Sequence, residues 1–298
     1  PFRPLEREPS RRPLKPRRAM KRQRSDEGAG DGLQLRYCIF DWDDNVVHMP
    51  TRIWMEDVAD GSPVPLSTAE FARRRNEPGL RPAENAFREF RDETGDFAGD
   101  LRRAMSGERW RGPAFDAFKL AVTEGRLFAV VTARGHSGET MCGAVAGFID
   151  EILSDTDKEA MKRNLKAFNA AAARKVPDGS LVADYLGLCS FVGVSNPEFV
   201  EQTGLKATEE GKKHAIRSFV ERMMEMSQDI MQNGNAIASI SFGMSDDDRK
   251  NVEAVDAFMR DELSLAYARV KFVVFDTSLG TGKTRRLKPH ISDPELPK

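Results

Sequence analysis

Short apolar runs alternate with longer amphipathic stretches along most of the chain. The runs are rich in β-branched and aromatic residues, as buried strands of a parallel sheet are. They cover residues 36–40, 127–131, 188–194, 236–242 and 270–275. The amphipathic stretches have helical spacing and cover residues 114–124, 137–153, 158–174, 209–226 and 247–265. This alternation predicts an α/β fold: a three-layer Rossmann-like parallel sheet with helices on both faces.

Two intervals between the predicted strands are longer than a simple crossover needs. Residues 49–113 are charged, prone to form helix and interrupted by prolines at 63, 65, 78 and 82. We interpret this interval as an inserted, mainly helical cap, because it directly follows the most acidic strand end. Residues 155–187 are a candidate second insertion. The core domain then comprises residues 33–48 and 114–280, with residues 1–32 and 281–298 as tails.

The composition is typical of a globular protein in a reducing compartment. Apolar residues make up 40% and charged residues 31% of the 298 residues, enough for a sizeable core. Cys38, Cys142 and Cys189 are far apart in apolar segments, which indicates buried reduced thiols. No apolar run approaches the roughly 18 residues of a membrane span, and no signal peptide is evident. We therefore predict a cytoplasmic protein with no membrane partner.

The net charge of −1 hides a strongly basic N-terminal segment. Residues 1–24 contain ten Lys/Arg and two Glu, which gives +8 and leaves −9 for the rest of the chain. This segment is proline-rich and aperiodic, so we predict that it and the linker to residue 32 are disordered. Three interpretations stay open: a nucleic-acid or nuclear-import patch, a solvated tail without a role, and translated upstream sequence before a start at Met20. Nucleic acid is expected as a partner only through this tail.

The first predicted strand ends in three carboxylates, Asp41, Asp43 and Asp44. Like charges at the end of a buried strand repel one another and lose solvation, so a cation is expected to compensate them. Mg²⁺ suits this role because it is usually bound by one or two carboxylates together with water and phosphate oxygens. Two carboxylates at i and i+2 can also act as a nucleophile that attacks phosphorus and as an acid/base that moves the proton.

Two further strand ends carry groups suited to the same chemistry. The second strand is followed by Thr132, Ala133 and Arg134, where a hydroxyl and backbone N–H groups can bind a phosphoryl group. The alternative is that Thr132 belongs to the cap of the next helix. The fourth strand is followed by aspartates at 246–248, a run that on its own is typical of a helix N-terminus. Two acidic clusters at strand ends of one parallel sheet favour a shared cation site.

The order of these groups resembles that of the haloacid dehalogenase (HAD)-like hydrolase superfamily, phosphatase branch. Residues 40–46 match its first motif and residues 130–134 its second. A lysine shortly before Ala215 matches the third motif, and residues 245–247 match the fourth. The resemblance extends over residues 36–276, nearly everything outside the tails.

The resemblance implies a role for each matching residue. Asp41 would be the nucleophile and Asp43 the general acid/base. Lys212, with Lys213 as the alternative, would bind the phosphoryl group together with Thr132. The implied substrate-binding residues are Asn45, Ala133 and Arg134. Mg²⁺ would be held by the Asp41 carboxylate, the Asp43 backbone carbonyl, and Asp246 or Asp247.

Two departures from the pattern of the superfamily stand out. Asp44 and Asn45 occupy the positions where it usually has Gly-Thr, and two adjacent lysines blur the third motif. The presence of Asp43 suits phosphoryl transfer and argues against the dehalogenase branch, which lacks that acid. Residues 49–113 lie where the superfamily places a cap of a kind that favours small phosphorylated metabolites.

We therefore predict a Mg²⁺-dependent phosphomonoester hydrolase that forms an aspartyl-phosphate and acts on a small phosphorylated metabolite or nucleotide. The alternatives are a phosphotransferase or mutase with the same intermediate, and a catalytically inactive HAD-like binding or scaffold protein. His48 and His136 lie next to the motifs and are candidates to line the pocket. The oligomeric state and the physiological substrate are not predicted.

Overall fold

A six-stranded, mostly parallel β-sheet forms the centre of the structure, a computed structural model that describes residues 32–280 and 284–292. The strands in this part of the chain are β1 (Leu33–Phe40), β2 (Ile53–Asp57), β3 (Pro63–Leu66), β4 (Leu80–Pro82), β5 (Phe128–Thr132), β6 (Ser190–Gly193), β7 (Ile237–Asp246), β8 (Val270–Asp276) and β9 (Arg285–Arg286). The sheet has the order β6-β5-β1-β7-β8-β9, and only β9 is antiparallel to its neighbour. The five predicted strands and the α/β class are thus confirmed.

Helices connect the strands. They are α1 (Thr68–Arg74), α2 (Phe97–Met105), α3 (Phe115–Thr123), α4 (Gly138–Ile152), α5 (Asp155–Ala171), α6 (Leu181–Leu188), α7 (Pro197–Thr203), α8 (Thr208–Gln232), α9 (Arg249–Phe258) and α10 (Ser264–Ala266). Single 3₁₀ turns occur at Arg88–Phe90 and Asp178–Ser180, and a π-helical turn at Met259–Leu263 joins α9 to α10. All five predicted helices form, although α9 is shorter than predicted because the chain changes to π geometry after Phe258.

The strand order places β1 where the chain reverses its direction across the sheet. From β1 the chain moves outward to β5 and β6, and it then crosses to β7 and β8 on the other side. In open α/β sheets, ligands bind beyond the C-terminal ends of the strands at such a reversal. Phe40 pairs with Val130 of β5 and with Ser245 of β7, so the residues that follow these strands come together at one edge.

The main hydrophobic core surrounds β1 and the loop after it. Tyr37 contacts Phe219 of α8 with ring centroids 6.5 Å apart, and Phe40 contacts Phe118 of α3 at 5.5 Å. Trp42, which separates the first two motif aspartates, is fully buried. Edge-to-face aromatic contacts of this kind stabilise a core beyond the burial of area alone.

Residues 49–113 differ from the predicted mainly helical insert, because part of the segment is an antiparallel sheet. Strand β2 is central in this sheet and pairs with β3 and β4. Pro63, Pro65 and Pro82 lie on the edge strands β3 and β4, where a missing N–H donor is tolerated, and Pro78 lies in the turn before β4. The insert has a small core of its own, but Phe97 and Leu101 of α2 pack into the main core.

Residues 155–187, the candidate second insertion, form α5, a 3₁₀ turn and α6. Their buried side chains include Met161, Leu165 and Tyr185, which all belong to the main core. Helix α5 begins with a capping box at Ser154, whose hydroxyl accepts from Asp157 N while the Asp157 carboxylate accepts from Ser154 N. This segment therefore packs into the core next to β5 and β6.

The predicted C-terminal tail contributes to the sheet. Strand β9 adds an antiparallel edge to β8, and His290 forms an isolated bridge with Phe272. The sequence gives no strand signal here because β9 has only two residues and both are arginine. The predictions for residues 1–31 lie outside the described residues. None of the helices in the described part of the chain is long and apolar enough to cross a membrane.

Candidate active site at the strand ends

The C-terminal ends of β1, β5 and β7 bring the predicted acidic and hydroxyl groups together. Asp41 directly follows β1, and its backbone N–H donates to Ser245 O at 3.0 Å. This bond holds Asp41 beside Asp246, the last residue of β7. Thr132 is the last residue of β5, whereas Ser137 caps α4. Thr132 is therefore free of the capping role that the sequence left open.

Lys212 joins the two acidic strand ends. Its Nζ lies 2.9 Å from Asp41 Oδ1 and 2.8 Å from Asp246 Oδ2, and the side chain is almost fully buried. The neighbouring Lys213 pairs with Glu210 at the surface of α8. The structure thus places Lys212, and not Lys213, at the strand ends. Loss of one partner from a buried ion pair costs roughly 3–5 kcal/mol, so these three residues depend on one another.

Three carboxylates form a group that could hold a metal ion. One oxygen each from Asp41, Asp246 and Asp247 lies within 4.8 Å of the others. Asp248 is the N-cap of α9 and accepts from Lys250 N, so the capping role suggested for this run belongs to Asp248. The Asp43 carboxylate is not a member of this group. A set of carboxylate oxygens fits Mg²⁺, which prefers hard oxygen ligands.

Burial and mutual repulsion raise the proton affinity of this group. Burial raises the pKa of Asp41 to about 7, Lys212 opposes this shift, and Asp246 adds to it. Burial also raises the pKa of Asp247 to about 9, with further contributions from the charges of Asp41 and Asp246. Burial alone would lower the pKa of Lys212, but its two carboxylate partners outweigh burial and raise it. Buried carboxylates crowded in this way are groups whose charges a bound cation would compensate.

Asp43 faces a different set of partners. Arg134 Nε donates to Asp43 Oδ2 at 2.8 Å, and Nη2 donates to Oδ1 at 2.7 Å. The Thr132 hydroxyl lies 3.3 Å from Asp43 Oδ2. Arg134, predicted as a substrate-binding residue, is thus buried and paired with Asp43. Ala133, which was predicted to bind substrate as well, is exposed at the end of β5.

Asn45, which the resemblance implied as a substrate-binding residue, uses its side-chain amide for hydrogen bonds at the ends of β1 and β7. Its Nδ2 donates to Asp41 O at 2.9 Å and to Ser245 O and Oγ at 3.0 Å. Thr277 Oγ1 donates to Asn45 Oδ1 at 2.8 Å. The side chain is fully buried and joins the ends of β1 and β7, so its amide is occupied by structural bonds.

Asp44, which stands where the pattern of the superfamily has glycine, has a backbone conformation that glycine favours. It has φ of 56°, in the left-handed region where glycine is favoured. Its Oδ1 lies 2.9 Å from His48 Nδ1, and its Oδ2 accepts from Thr68, the first residue of α1. An aspartate tolerates this conformation better than most residues. Here its side chain also connects the loop after β1 to the insert.

The two candidate pocket histidines differ in their surroundings. His48 is half-buried and paired with Asp44. His136 is fully buried, and neither ring nitrogen has a hydrogen-bond partner among the described residues. Burial and the nearby Arg134 lower the pKa of His136 to about 4, so the ring stays neutral at physiological pH.

Two residues of the insert that the sequence analysis missed complete the surroundings of Asp43. Thr51 and Asp100 are nearly fully buried and reach Arg134 through hydrogen bonds. Neither residue lies in a recognisable motif, and only their tertiary placement reveals them. Ser245, by contrast, lies within the fourth motif, yet its contact with Asn45 has no local signal.

Comparisons with protein-family models, with curated proteins and with solved structures found no match for this chain.

Proposed function

We propose that the chain is a HAD-like phosphomonoester hydrolase that depends on Mg²⁺ and works through an aspartyl-phosphate on Asp41. The observation that carries this proposal is the buried cluster at the strand ends, where Lys212 bridges Asp41 and Asp246. A nucleophile, a cation and a hydroxyl at the carboxyl ends of adjacent parallel strands are the groups that phosphoryl transfer requires.

The α/β sheet belongs, in this proposal, to a three-layer Rossmann-like domain with residues 49–113 as its cap. Tyr37 and Phe40 have opposite parity along β1, so their side chains lie on opposite faces. They contact α8 and α3, respectively, which supports helices on both faces. Contacts of the insert with Asp44 and Arg134 support its role as a cover of the site.

Two proton transfers accompany the chemistry. A carboxylate oxygen of Asp41 forms a bond to phosphorus as the bond to the ester oxygen breaks, and Asp43 gives its proton to that oxygen. In the second step Asp43 takes a proton from water as the water oxygen attacks phosphorus. As this bond forms, the bond between phosphorus and Asp41 breaks, which releases inorganic phosphate and regenerates the free carboxylate of Asp41.

Lys212 and Thr132 assist both steps. The Lys212 ammonium neutralises charge on Asp41 and on the phosphoryl oxygens, and the Thr132 hydroxyl donates to one of them. Asp41, Asp246 and Asp247 would hold Mg²⁺, which supplies charge compensation for the carboxylates and the phosphoryl group when bound. The substrate class in this proposal is a small phosphorylated metabolite or nucleotide, as a covered site favours.

A cytoplasmic location is also part of the proposal. Cys38, Cys142 and Cys189 are free thiols, as expected in a reducing compartment. Only Cys189 is fully buried, and burial raises its pKa to about 12, so this thiol is unreactive.

Phosphate release from p-nitrophenyl phosphate tests the proposal. Wild-type protein with Mg²⁺ is expected to turn over, and EDTA is expected to abolish the activity. Asp41→Asn is expected to lower kcat by about 10³-fold or more, since nucleophile variants of other enzymes lose comparable factors. Lys213→Ala is the matched control and keeps the wild-type rate. Equal activity of wild type and Asp41→Asn would refute the mechanism, and phosphate transfer to an added alcohol would indicate a phosphotransferase.

A further inference from the structure

We propose that Arg134 is a positioning residue for the carboxylate of Asp43, and that Thr51 and Asp100 connect this arginine to the insert. The inference rests on the proposed function, in which Asp43 protonates the leaving group. It replaces the expectation that Arg134 binds the substrate.

The guanidinium of Arg134 holds both oxygens of Asp43. Its Nε and Nη2 donate to Oδ2 and Oδ1 at 2.8 and 2.7 Å, a bidentate pair. The planar fork fixes the plane of a carboxylate as well as its position, which a lysine ammonium cannot do. The orientation of the acid therefore follows the orientation of the guanidinium.

Arg134 offers no exposed donor to a phosphate group. The residue is 1% exposed, and its Cζ lies 4.6 Å from the ring centre of Phe90 and 5.1 Å from that of Phe97. Its Nη1 is buried and has no hydrogen-bond partner among the described residues. The two aromatic rings and the pair with Asp43 thus enclose the guanidinium and shield it from solvent.

A chain of buried hydrogen bonds connects Arg134 to the insert. Nη2 also donates to Thr51 Oγ1 at 2.7 Å, and the Thr51 hydroxyl donates to Asp100 of α2. Asp100 is paired with Arg103 in the same helix. Thr51 and α2 belong to the insert, whereas Arg134 follows β5 of the core. Buried polar networks of this kind favour a single arrangement, so the position of the insert sets the orientation of Asp43.

The nature of the leaving group separates a positioning role from phosphate binding. An alkoxide leaving group needs the proton of Asp43 as the P–O bond breaks, whereas p-nitrophenolate leaves readily without it. A misplaced acid therefore slows hydrolysis of alkyl esters far more than hydrolysis of aryl esters. Loss of a phosphate ligand would slow both classes alike and raise KM, because both carry the same phosphate.

Steady-state kinetics of Arg134→Lys on glycerol phosphate and p-nitrophenyl phosphate test the inference. We expect kcat on the alkyl ester to fall by about 10²-fold or more and kcat on the aryl ester by less than about 10-fold. KM is expected to stay within about 3-fold for both esters, as for a residue that does not contact the phosphate. Arg102→Lys, an exposed arginine of α2, is the matched control and keeps wild-type kinetics. Equal losses on both esters with a raised KM would overturn the inference in favour of phosphate binding.

Thr51 provides a second and milder test. Thr51→Val removes the hydroxyl that links Arg134 to Asp100, and Thr51→Ser keeps it. We expect Thr51→Val to show the same selective loss on the alkyl ester, smaller than in Arg134→Lys, and Thr51→Ser to restore the rate. If Thr51→Val hydrolyses the alkyl ester at the wild-type rate, the insert does not determine the orientation of the Asp43 carboxylate.

Hydrogen exchange tests the positioning step independently of turnover. Backbone amides of residues 41–45 are expected to exchange faster in Arg134→Lys than in wild type or Arg102→Lys. Unchanged exchange there would overturn the inference. Absence of turnover by wild type on both esters would instead reject the proposed function, and the exchange data would still decide whether Arg134 orders the loop.

Discussion

At the scale of single residues, the site is a balance between burial and charge. Asp41 and Asp247 are carboxylates whose pKa values are raised to about 7 and about 9, first by burial and then by neighbouring aspartates. Lys212 compensates part of this charge but cannot neutralise three carboxylates. In the absence of a cation, the native state therefore keeps protons that the unfolded chain loses at lower pH.

This retention of protons predicts a pH-dependent stability. Because the native state binds more protons than the unfolded chain between the unfolded pKa near 4 and the raised native values, the free energy of unfolding falls as pH rises through that window. Asp247 has the higher of the two raised pKa values, so Asp247→Asn removes the largest contribution to this loss of stability at high pH. Without metal, we expect it to raise Tm by roughly 2–4 °C at pH 8, as for about 1 kcal/mol, and by less at pH 5.

Differential scanning calorimetry with EDTA measures this effect, and Asp229→Asn, an exposed aspartate of α8, serves as control. A gain in Tm that is equal at pH 5 and pH 8, or one shared by the control, would contradict the assignment of the raised pKa to Asp247.

At the scale of elements, the loop after β1 is tied to the insert by one residue in an unusual conformation. Asp44 combines φ of 56° with side-chain bonds to His48 and Thr68. The backbone conformation favours glycine, but glycine has no side chain that could accept the hydrogen bond from Thr68 of α1. With aspartate at this position, the backbone is less favourable than with glycine, but the side chain gains a hydrogen bond that links the loop to α1.

Two substitutions separate these contributions. Asp44→Gly loses the hydrogen bond with Thr68, but glycine adopts the left-handed backbone conformation readily. Asp44→Ala also loses the hydrogen bond, and alanine in this conformation adds strain of about 1–2 kcal/mol. We expect the free energy of unfolding to decrease in the order wild type, Asp44→Gly, Asp44→Ala, as measured by urea denaturation. A glycine variant less stable than the alanine variant would show that the backbone conformation is not the constraint.

Helices and strands could be predicted where a few consecutive residues carry the pattern that identifies them. The apolar runs gave the five parallel strands, and strand ends marked by aspartate or threonine gave Asp41, Asp246 and Thr132, because parallel strands end at one edge. The sheet of the insert was missed because its edge-strand prolines imitate helix breaks. The contacts of Arg134 with Thr51 and Asp100 join residues distant in the chain, so no local pattern could reveal them.

At the scale of the whole molecule, Trp42 connects the site to the core. It is fully buried between the first two motif aspartates and contacts Phe97 of α2, Phe118 of α3 and Phe148 of α4, at ring distances of 5.6–6.0 Å. The loop that carries Asp41 and Asp43 is thereby anchored in the core by a side chain of its own.

Truncation of this anchor is expected to weaken the whole fold. Trp42→Ala should lower the free energy of unfolding by roughly 3–5 kcal/mol, the range for large aromatic residues in cores. Trp42→Phe should cost less, because the indole Nε1 has no hydrogen-bond partner among the described residues to lose. Guanidinium denaturation measures both values. A loss below about 0.5 kcal/mol for Trp42→Ala, the range of surface substitutions, would contradict the anchoring role.

The central claim is that Asp41 becomes phosphorylated during turnover. Rapid quench of wild-type protein with p-nitrophenyl phosphate and Mg²⁺, followed by borohydride reduction and peptide mass spectrometry, tests it directly, since borohydride converts an aspartyl-phosphate into homoserine. We predict homoserine at position 41 in wild type and none in Asp41→Asn. Turnover without homoserine at position 41, or homoserine at another aspartate, would contradict the mechanism.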